Sequence, residues 1–238
     1  MTTIRLHPTQ ARIFKDQFID KSVKHSVVVA SRGWGKSAAA SVGAIKASNE
    51  LMKLDASVPN KNVALVAPTF TSVVDIYFNL ILYQFGLSNI AIRHSSSLGR
   101  IWLPRNVIIK LVSAEAIDRI RGGGIYFAVG DEIDTWTIRD PVKAWDSVIH
   151  GAGRSRWSPK MAKLHGAESS FRSLVIGSSG GVKSLYALSE RAKTDSEYRN
   201  YSFDYRDSPY LDREEIEKAM STMDEVAFRQ EYQAQLID

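Results

Sequence analysis

Two groups of residues in this sequence could do chemistry by their type and spacing. The first is Ser31-Arg32-Gly33-Trp34-Gly35-Lys36-Ser37, set between an apolar run, Val27-Val28-Val29-Ala30, and a small-residue segment, Ala38-Ala39-Ala40-Ser41-Val42. A strand, a tight loop ending in Gly-Lys-Ser and then a helix is the layout of a phosphate-binding loop. Backbone N–H groups at the helix start cradle phosphate oxygens, the lysine reaches the β- and γ-phosphates, and the serine hydroxyl binds Mg²⁺. On this reading the loop amides from Ser31 to Ala38 surround the phosphates of a nucleotide, with Lys36 and Ser37 as the reactive side chains. The general pattern has a glycine five residues before Gly35, and this chain has Ala30 there. The alternative is an ordinary strand-to-helix turn with a solvated lysine.

The second group follows another apolar run. Tyr126-Phe127-Ala128-Val129-Gly130 reads as a buried strand and ends in Asp131-Glu132. A nucleotide-hydrolysing site needs a carboxylate at the end of a neighbouring parallel strand to hold the metal, and a group to position the attacking water. Asp131 fits the first role and Glu132 the second. An adjacent Asp-Glu pair indicates hydrolysis with an in-chain glutamate, which a small-molecule kinase would not need. Alone, the pair could simply open a solvated loop.

These groups must be placed by a larger framework. Strand candidates are Ser26–Ala30, Val63–Ala67, Val107–Val112, Ile125–Val129 and Leu174–Gly177; helix candidates lie at about 9–19, 37–53, 71–85, 140–149 and 183–194. Near-continuous apolar strands alternating with helices predict an α/β fold, a mainly parallel sheet covered by helices on both faces. Its site belongs at the carboxyl ends of the strands. Ile90–Ile92 and Arg100–Leu103 form extra strands or a small hairpin. Around Asp207-Ser208-Pro209 the pattern changes, and Leu211–Met220 and Glu225–Leu236 read as two short amphipathic helices. A boundary near 204 divides a core, 1–203, from a small subdomain, 204–238, too small for an independent core and expected to dock as a lid or linker.

Composition sets limits. The chain has 238 residues, 44% hydrophobic and 24% charged, ordinary globular values. With no cysteine it has neither disulfides nor a Cys-based zinc site. The five histidines, at 7, 25, 94, 150 and 165, form no His-x-x-x-His pair and read as structural or solvated. No apolar run approaches the roughly 18 residues of a membrane span, and the N-terminus is not a signal peptide. An intracellular, soluble protein with no membrane partner is expected. The net charge of +5 conceals an asymmetry: residues 204–238 hold ten acidic and four basic residues, a net of −6, which leaves +11 on residues 1–203. That body could bind a polyanion, although such a charge also serves plain solubility.

Three further segments take on meaning beside the first two. Leu6-His7-Pro8-Thr9-Gln10 stands upstream of the loop, where the Gln10 amide could read an adenine edge. Val63–Ala67 ends in Pro68-Thr69, with Thr69 a candidate helix cap. Leu174–Gly177 ends in Ser178-Ser179-Gly180-Gly181, whose hydroxyls could sense the γ-phosphate or its bound water; a plain glycine-rich turn is the alternative.

In this order the segments resemble the ATPase domain of the large terminase subunit of tailed bacteriophages, a P-loop NTPase that drives double-stranded DNA into an empty capsid. The resemblance covers essentially the whole chain. It rests on Gln10, on the loop Ser31–Ser37 with its internal arginine and missing first glycine, on Pro68-Thr69, Asp131-Glu132 and Ser178-Ser179-Gly180, and on the closing Glu231-Tyr232 helix as part of the family's lid. It implies ATP and Mg²⁺ as cofactors, the metal held by Ser37 and Asp131. Arg32 would contact the γ-phosphate or gate the loop, and Arg121, or Arg119 two residues away, would act across a subunit boundary as an arginine finger. It implies a homo-oligomeric ring when assembled, a monomer being possible in isolation, with the capsid portal and the small terminase subunit as partners. The implied location is the cytoplasm of an infected bacterial host, docked on the capsid during packaging. Family members usually carry a C-terminal nuclease; the sequence ends at Asp238 without its carboxylate cluster, so no DNA cleavage is expected from this chain.

Two acid-free intervals offer phosphate contacts for DNA: loops with Arg154, Arg156, Lys160 and Lys163 around Trp157, and a stretch with Arg93, Arg100, Arg105 and Lys110. Subunit contact or solvation would use the same residues. Trp102 and Trp157 read as packing residues. The competing functions are a superfamily 2-type helicase fragment, which would need a second RecA-like domain, and a nucleotide-dependent DNA-binding module without turnover, against which Glu132 argues.

Overall fold

The computed structural model describes residues 6–86, 90, 92–179 and 182–237. Among them eight strands form one sheet: β1 (His25–Ala30), β2 (Asn62–Ala67), β3 (Arg93–Ser95), β4 (Arg100–Leu103), β5 (Val107–Ser113), β6 (Ile125–Asp131), β7 (Arg172–Gly177) and β8 (Tyr198–Phe203). Their order is β3-β4-β5-β2-β6-β7-β1-β8. The six strands from β5 to β8 run parallel, and β3 and β4 add an antiparallel hairpin at one edge. Every residue of β1, β2, β6 and β7 is buried, as their largely apolar sequences require of strands covered on both faces.

The helices are α1 (Pro8–Phe14), α2 (Lys36–Met52), α3 (Phe70–Val73), α4 (Asn79–Gly86), α5 (Pro141–Ala144), α6 (Gly151–Arg156), α7 (Pro159–Leu164), α8 (Val182–Glu190), α9 (Arg213–Thr222) and α10 (Glu225–Glu231). A wide π turn, Val74–Phe78, joins α3 to α4, and another, Trp145–His150, joins α5 to α6. Coverage of both faces is visible along β6, whose side chains alternate sides. A methyl group on Gly43 of α2 would stand 3.2 Å from Phe127, and one on Gly130 would stand 2.9 Å from the Trp145 ring. Phe127 and Gly130 are three residues apart, so α2 and the Trp145 turn lie on opposite faces. A buried polar brace ties the layers together. Arg172 at the start of β7 pairs with Glu50 of α2, donates to the Tyr126 hydroxyl of β6 at 3.1 Å and stacks over Phe18 at 4.2 Å.

The five strands expected from sequence are present with ends one or two residues longer. The hairpin comprises Arg93–Ser95 and Arg100–Leu103 rather than Ile90–Ile92; residue 91 lies outside the described residues. Thr69 caps α3, accepting a hydrogen bond of 3.0 Å from the Ser72 amide. His25 and His150 are core residues, their pKa values pushed down to about 2 and about 3, first by burial and then by neighbouring positive charge.

One expectation needs correction. The basic residues around Trp157 are not on loops: Arg154 and Arg156 belong to α6, and Lys160 and Lys163 to α7. Ser158 and Pro159 start α7 as cap and first residue. Trp157 is fully buried and donates from its indole to the Asn60 carbonyl at 3.0 Å. Among the described residues no helix is long and apolar enough to cross a membrane.

After β8 the chain forms a small apolar cluster of its own, with Ala219, Phe228 and Tyr232 buried against Tyr205, Leu211, Ile216 and Met223. This cluster rests on the loop that follows β1, and that contact is part of the site.

Candidate active site

The strand order brings the separated motifs together. β7 lies between β1 and β6, with Val29 opposite Gly177 and Ile176 opposite Asp131. The ends of the three strands therefore set Ser31–Ser37, Ser178-Ser179 and Asp131-Glu132 side by side at the carboxyl edge of the sheet.

The loop itself is built on two glycines in the left-handed region, Gly33 at φ 73° and Gly35 at φ 92°, where a side chain would be strained. Gly35 is the residue from which α2 starts, so the amides of the first helical turn face outward. Lys36 Nζ donates to the carbonyls of Ala30 and Ser31, each at 3.2 Å, and stands 3.8 Å from Glu132 Oε1. Ser37 is half-buried beside it. The Trp34 indole lies under the loop: it is fully buried, stacked on Phe203 at 5.0 Å, and donates to Thr9 Oγ1 at 3.0 Å. Trp34 thus offers the site only its backbone. Ser31 is also buried and its amide donates to Phe203 O at 2.9 Å. The guanidinium of Arg32 is exposed, while its amide donates to Glu231 O at 2.7 Å.

Glu132 has a left-handed backbone, φ 47° and ψ 51°, uncommon for a residue with a Cβ and typical of strained functional positions. Its amide donates to Ile176 O at 2.9 Å, and the Thr135 amide donates to its carbonyl at 2.9 Å, so the turn is held from both sides. This bend directs its carboxylate across β7, where it accepts from the Ser178 amide at 2.9 Å and from the Ser178 hydroxyl at 3.1 Å. Asp131 beside it is buried, and its pKa is pushed up to about 6. Burial is the largest cause and the Glu132 charge adds to it, while Tyr77 and Lys36 act in the opposite direction.

Tyr77 escaped the sequence reading. The π turn Val74–Phe78 carries it inward, fully buried, to a position where its hydroxyl neighbours Asp131 and Ser37. Burial, followed by the Asp131 charge, raises its pKa well above the ordinary phenol value. Its hydroxyl has no hydrogen bond of acceptable geometry, an unmet polar atom inside the site. Asp134 also escaped. It caps α8, accepting from the Ser184 and Leu185 amides at 2.6 and 3.1 Å.

The donor set fits a magnesium ion carried in with a nucleotide. Among the described residues no group of three or more His, Cys, Asp or Glu side chains gathers. Mg²⁺ needs none, since it binds through one or two protein oxygens together with phosphates and water. Ser37 and Asp131 supply such oxygens, and the raised pKa of Asp131 is that of a buried carboxyl in want of positive charge.

Of the other expected residues, Gln10 lies differently from its sequence picture. Gln10 is buried, with its amide nitrogen donating to the Trp34 and Gly35 carbonyls at 3.3 and 3.2 Å and its oxygen accepting from the His7 amide at 3.3 Å. It braces the loop. Arg121 is apart from its own chain's cluster. The loop that carries it packs at the start of β2, where the Asn62 amide group donates to Gly124 O at 2.9 Å, and its guanidinium pairs with Asp118 at 2.7 Å. Arg121 lines a cavity of about 570 Å³ with Glu115, Arg139 and Lys143, to which none of Lys36, Ser37, Asp131 and Glu132 contributes. Arg119 lines a cavity of about 360 Å³ with Phe70, Arg100 and Ser113. Ser179 is buried and its hydroxyl bonds the Gln230 carbonyl; Gly180 lies outside the described residues.

A phosphate-loop helix start, a strand-end Asp-Glu pair and a mostly parallel sheet define a P-loop NTPase-like α/β fold. Within that class the fold is that of large terminase ATPase domains. The large terminase ATPase domain of Thermus phage P74-26 superposes with a TM-score of 0.70 at 18% identity, covering 98% of this chain and 94% of that one. The HK97 bacteriophage large terminase gives 0.67 at 17% identity over 99% of this chain, which spans 51% of its length. The large terminase of a thermophilic bacteriophage, solved in complex with ADP, gives 0.65 at 9% identity, with 98% of this chain and 54% of that one covered. No protein-family model and no curated protein sequence matches the chain.

Proposed function

We propose that this chain is an Mg²⁺-dependent ATPase motor of the terminase type, hydrolysing ATP to translocate double-stranded DNA into a viral capsid. The observation that carries the proposal is the convergence of Lys36, Ser37, Asp131 and Glu132 at the ends of β1 and β6, with Ser178 between them. Similarity of fold over nearly the full length of the chain to large terminase ATPase domains supports it.

The amides from Gly33 to Ala38 bind the β- and γ-phosphates, and Lys36 exchanges the carbonyls of Ala30 and Ser31 for phosphate oxygens. Ser37 and Asp131 hold the metal, with the Tyr77 hydroxyl beside them to orient the Asp131 carboxylate. The bound Mg²⁺ supplies neutralisation of the charge that develops on the transferring phosphate. Glu132 orients the attacking water and accepts its proton. Ser178 holds that carboxylate by two donors, so release from Ser178 accompanies its engagement with water. Arg32, exposed at the loop, reaches the γ-phosphate or gates access to it. Gln10 serves adenine binding by fixing the loop. Because Arg121 is remote from its own site, we assign it to a neighbouring subunit's site in a homo-oligomeric ring, with Arg119 as the alternative finger. Residues 204–238 act as a lid docked on the loop of the 1–203 core.

The partners follow from the same reading: duplex DNA against the basic body, the capsid portal and the small terminase subunit, in the cytoplasm of an infected bacterium. Phosphate release under saturating ATP and Mg²⁺, with and without duplex DNA, tests the function. Hydrolysis that DNA stimulates and that Glu132→Gln abolishes is expected. Absence of hydrolysis at every protein concentration, with DNA and Mg²⁺ present, would sink the proposal.

A further inference from the structure

We infer that Tyr210 is the stacking platform for the purine base of the bound nucleotide, an inference that rests on the phosphate-loop reading above and specifies its base subsite. A nucleotide whose phosphates lie on the loop amides must lay its base to one side of the loop. On the side where α1 meets Gly35, the side chain expected to read adenine is already engaged, since the Gln10 amide is spent on loop carbonyls. Beside it stands the Tyr210 ring, most of whose surface is open among the described residues. A methyl group placed on Gly35 would be 2.7 Å from Gln10 Nε2 and 3.8 Å from Tyr210 Cε2. The Tyr210 ring meets His7 edge-on, with centroids 5.8 Å apart and planes at 73°. It is 62% exposed, whereas Phe228 and Tyr232 of the same small subdomain are packed into its apolar cluster.

The backbone that presents this ring is fixed. The Ser208 hydroxyl donates to Gly33 O at 3.0 Å, the Tyr210 amide donates to Ser208 Oγ at 3.2 Å, and Leu211 packs so closely on Gly33 that a methyl group there would stand 2.6 Å from Cδ2. The turn 208–211 is thus strapped to the phosphate loop while its one aromatic side chain stays in solvent. An exposed phenol ring gains little for folding where it stands, and an anchored ring loses little entropy when a flat ligand stacks on it. Stacking on an aromatic face recognises a base by its surface and needs no further hydrogen bond. Because Tyr210 belongs to the segment after β8, occupation of the base subsite also bridges that segment to the loop.

The test compares ATP with inorganic tripolyphosphate, which offers the phosphates without the base, by titration calorimetry on the 238-residue chain. Tyr210→Ala should weaken ATP binding roughly tenfold or more and leave tripolyphosphate binding within about twofold of the parent. Tyr210→Phe should keep parental affinity for both. Fluorescence of etheno-ATP should be quenched on binding the parent and Tyr210→Phe, and unquenched with Tyr210→Ala. Unaltered ATP affinity in Tyr210→Ala overturns the inference. An equal loss for both ligands also overturns it, because Tyr210 would then only shape the loop. A parent protein that binds neither ligand instead removes the phosphate-loop reading, and the base subsite with it.

Discussion

Asp131 gives the sharpest quantitative test of the site. Its carboxyl has a folded pKa of about 6 against an ordinary value of 3.8, with burial as the main cause. The fold therefore favours the protonated acid. Between pH 4 and pH 6 the native state holds a proton that the unfolded chain has released, so stability falls as pH rises through this window. Above pH 6 the penalty is complete, and below pH 4 it is absent. A shift of about two units corresponds to about 3 kcal/mol, at 1.36 kcal/mol per unit. Asp131→Asn has nearly the same shape and cannot ionise, and the Tyr77 hydroxyl can donate to its amide oxygen. In a metal-chelating buffer the variant should match the parent near pH 4. It should exceed it at pH 8 by up to about 3 kcal/mol, or about 6 to 12 °C in Tm for a chain of this size. Thermal unfolding across pH 4 to 8, followed by circular dichroism, reads this out directly. The same variant should lose Mg²⁺-dependent hydrolysis, so stability and activity part company. A variant less stable than the parent at pH 8, or a gain independent of pH, would refute the reasoning that Asp131 is a buried, under-compensated carboxylate.

Other substitutions address single roles. Glu132→Gln should bind ATP with near-parental affinity and lose turnover by about 100-fold or more, the scale of a missing general base; steady-state phosphate release within a few-fold of the parent contradicts the assignment. Lys36→Ala should lose nucleotide affinity along with turnover, because its ammonium meets the phosphates in the ground state; unchanged binding of a fluorescent ATP analogue is the contrary result. Arg121→Ala and Glu132→Gln proteins, each inactive alone, should regain activity when mixed, and specific activity of the parent should rise with protein concentration. Mixtures that stay inactive, with concentration-independent activity in the parent, indicate that Arg121 does not act across a subunit boundary.

Much of this arrangement was legible in the sequence because the relevant signals are local. Val27–Ala30 with Gly33-Trp34-Gly35-Lys36-Ser37 fixes a strand, a turn with positive φ and a helix start within a dozen residues. Tyr126–Asp131 announces itself by an apolar run that ends in charge. The features that escaped depend on what packs against a segment. β8 mixes exposed and buried residues at the sheet edge, and its adjacent exposed Arg199 and Asn200 mask the strand. Tyr77 sits in a helix whose sequence gives no sign of the π turn that rotates it toward Asp131. The burial of Trp157 converts a run of basic residues that reads as a loop into two short helices with a core anchor. Gln10 looked available for a base, and only the tertiary contact with the carbonyls of Trp34 and Gly35 shows where its amide is spent.

The position of β7 has a consequence for biosynthesis. It pairs on one side with β1, made at the outset, and on the other with β6, made shortly before it. Until residues 172–177 leave the ribosome, β1 and β6 have no partner along the edges that will face each other, and both are apolar over most of their length, at 27–30 and 125–130. Such unpaired edges invite pairing with other nascent chains. Pairings so distant in sequence also slow closure, since the loop entropy is lost before the contacts form. Released chains truncated before residue 172 should therefore collect in aggregates or on chaperones, while released chains truncated just after residue 203, which contain β7 and β8, should be more soluble. The sheet edge that carries both motifs is complete only when β7 takes its place between β1 and β6.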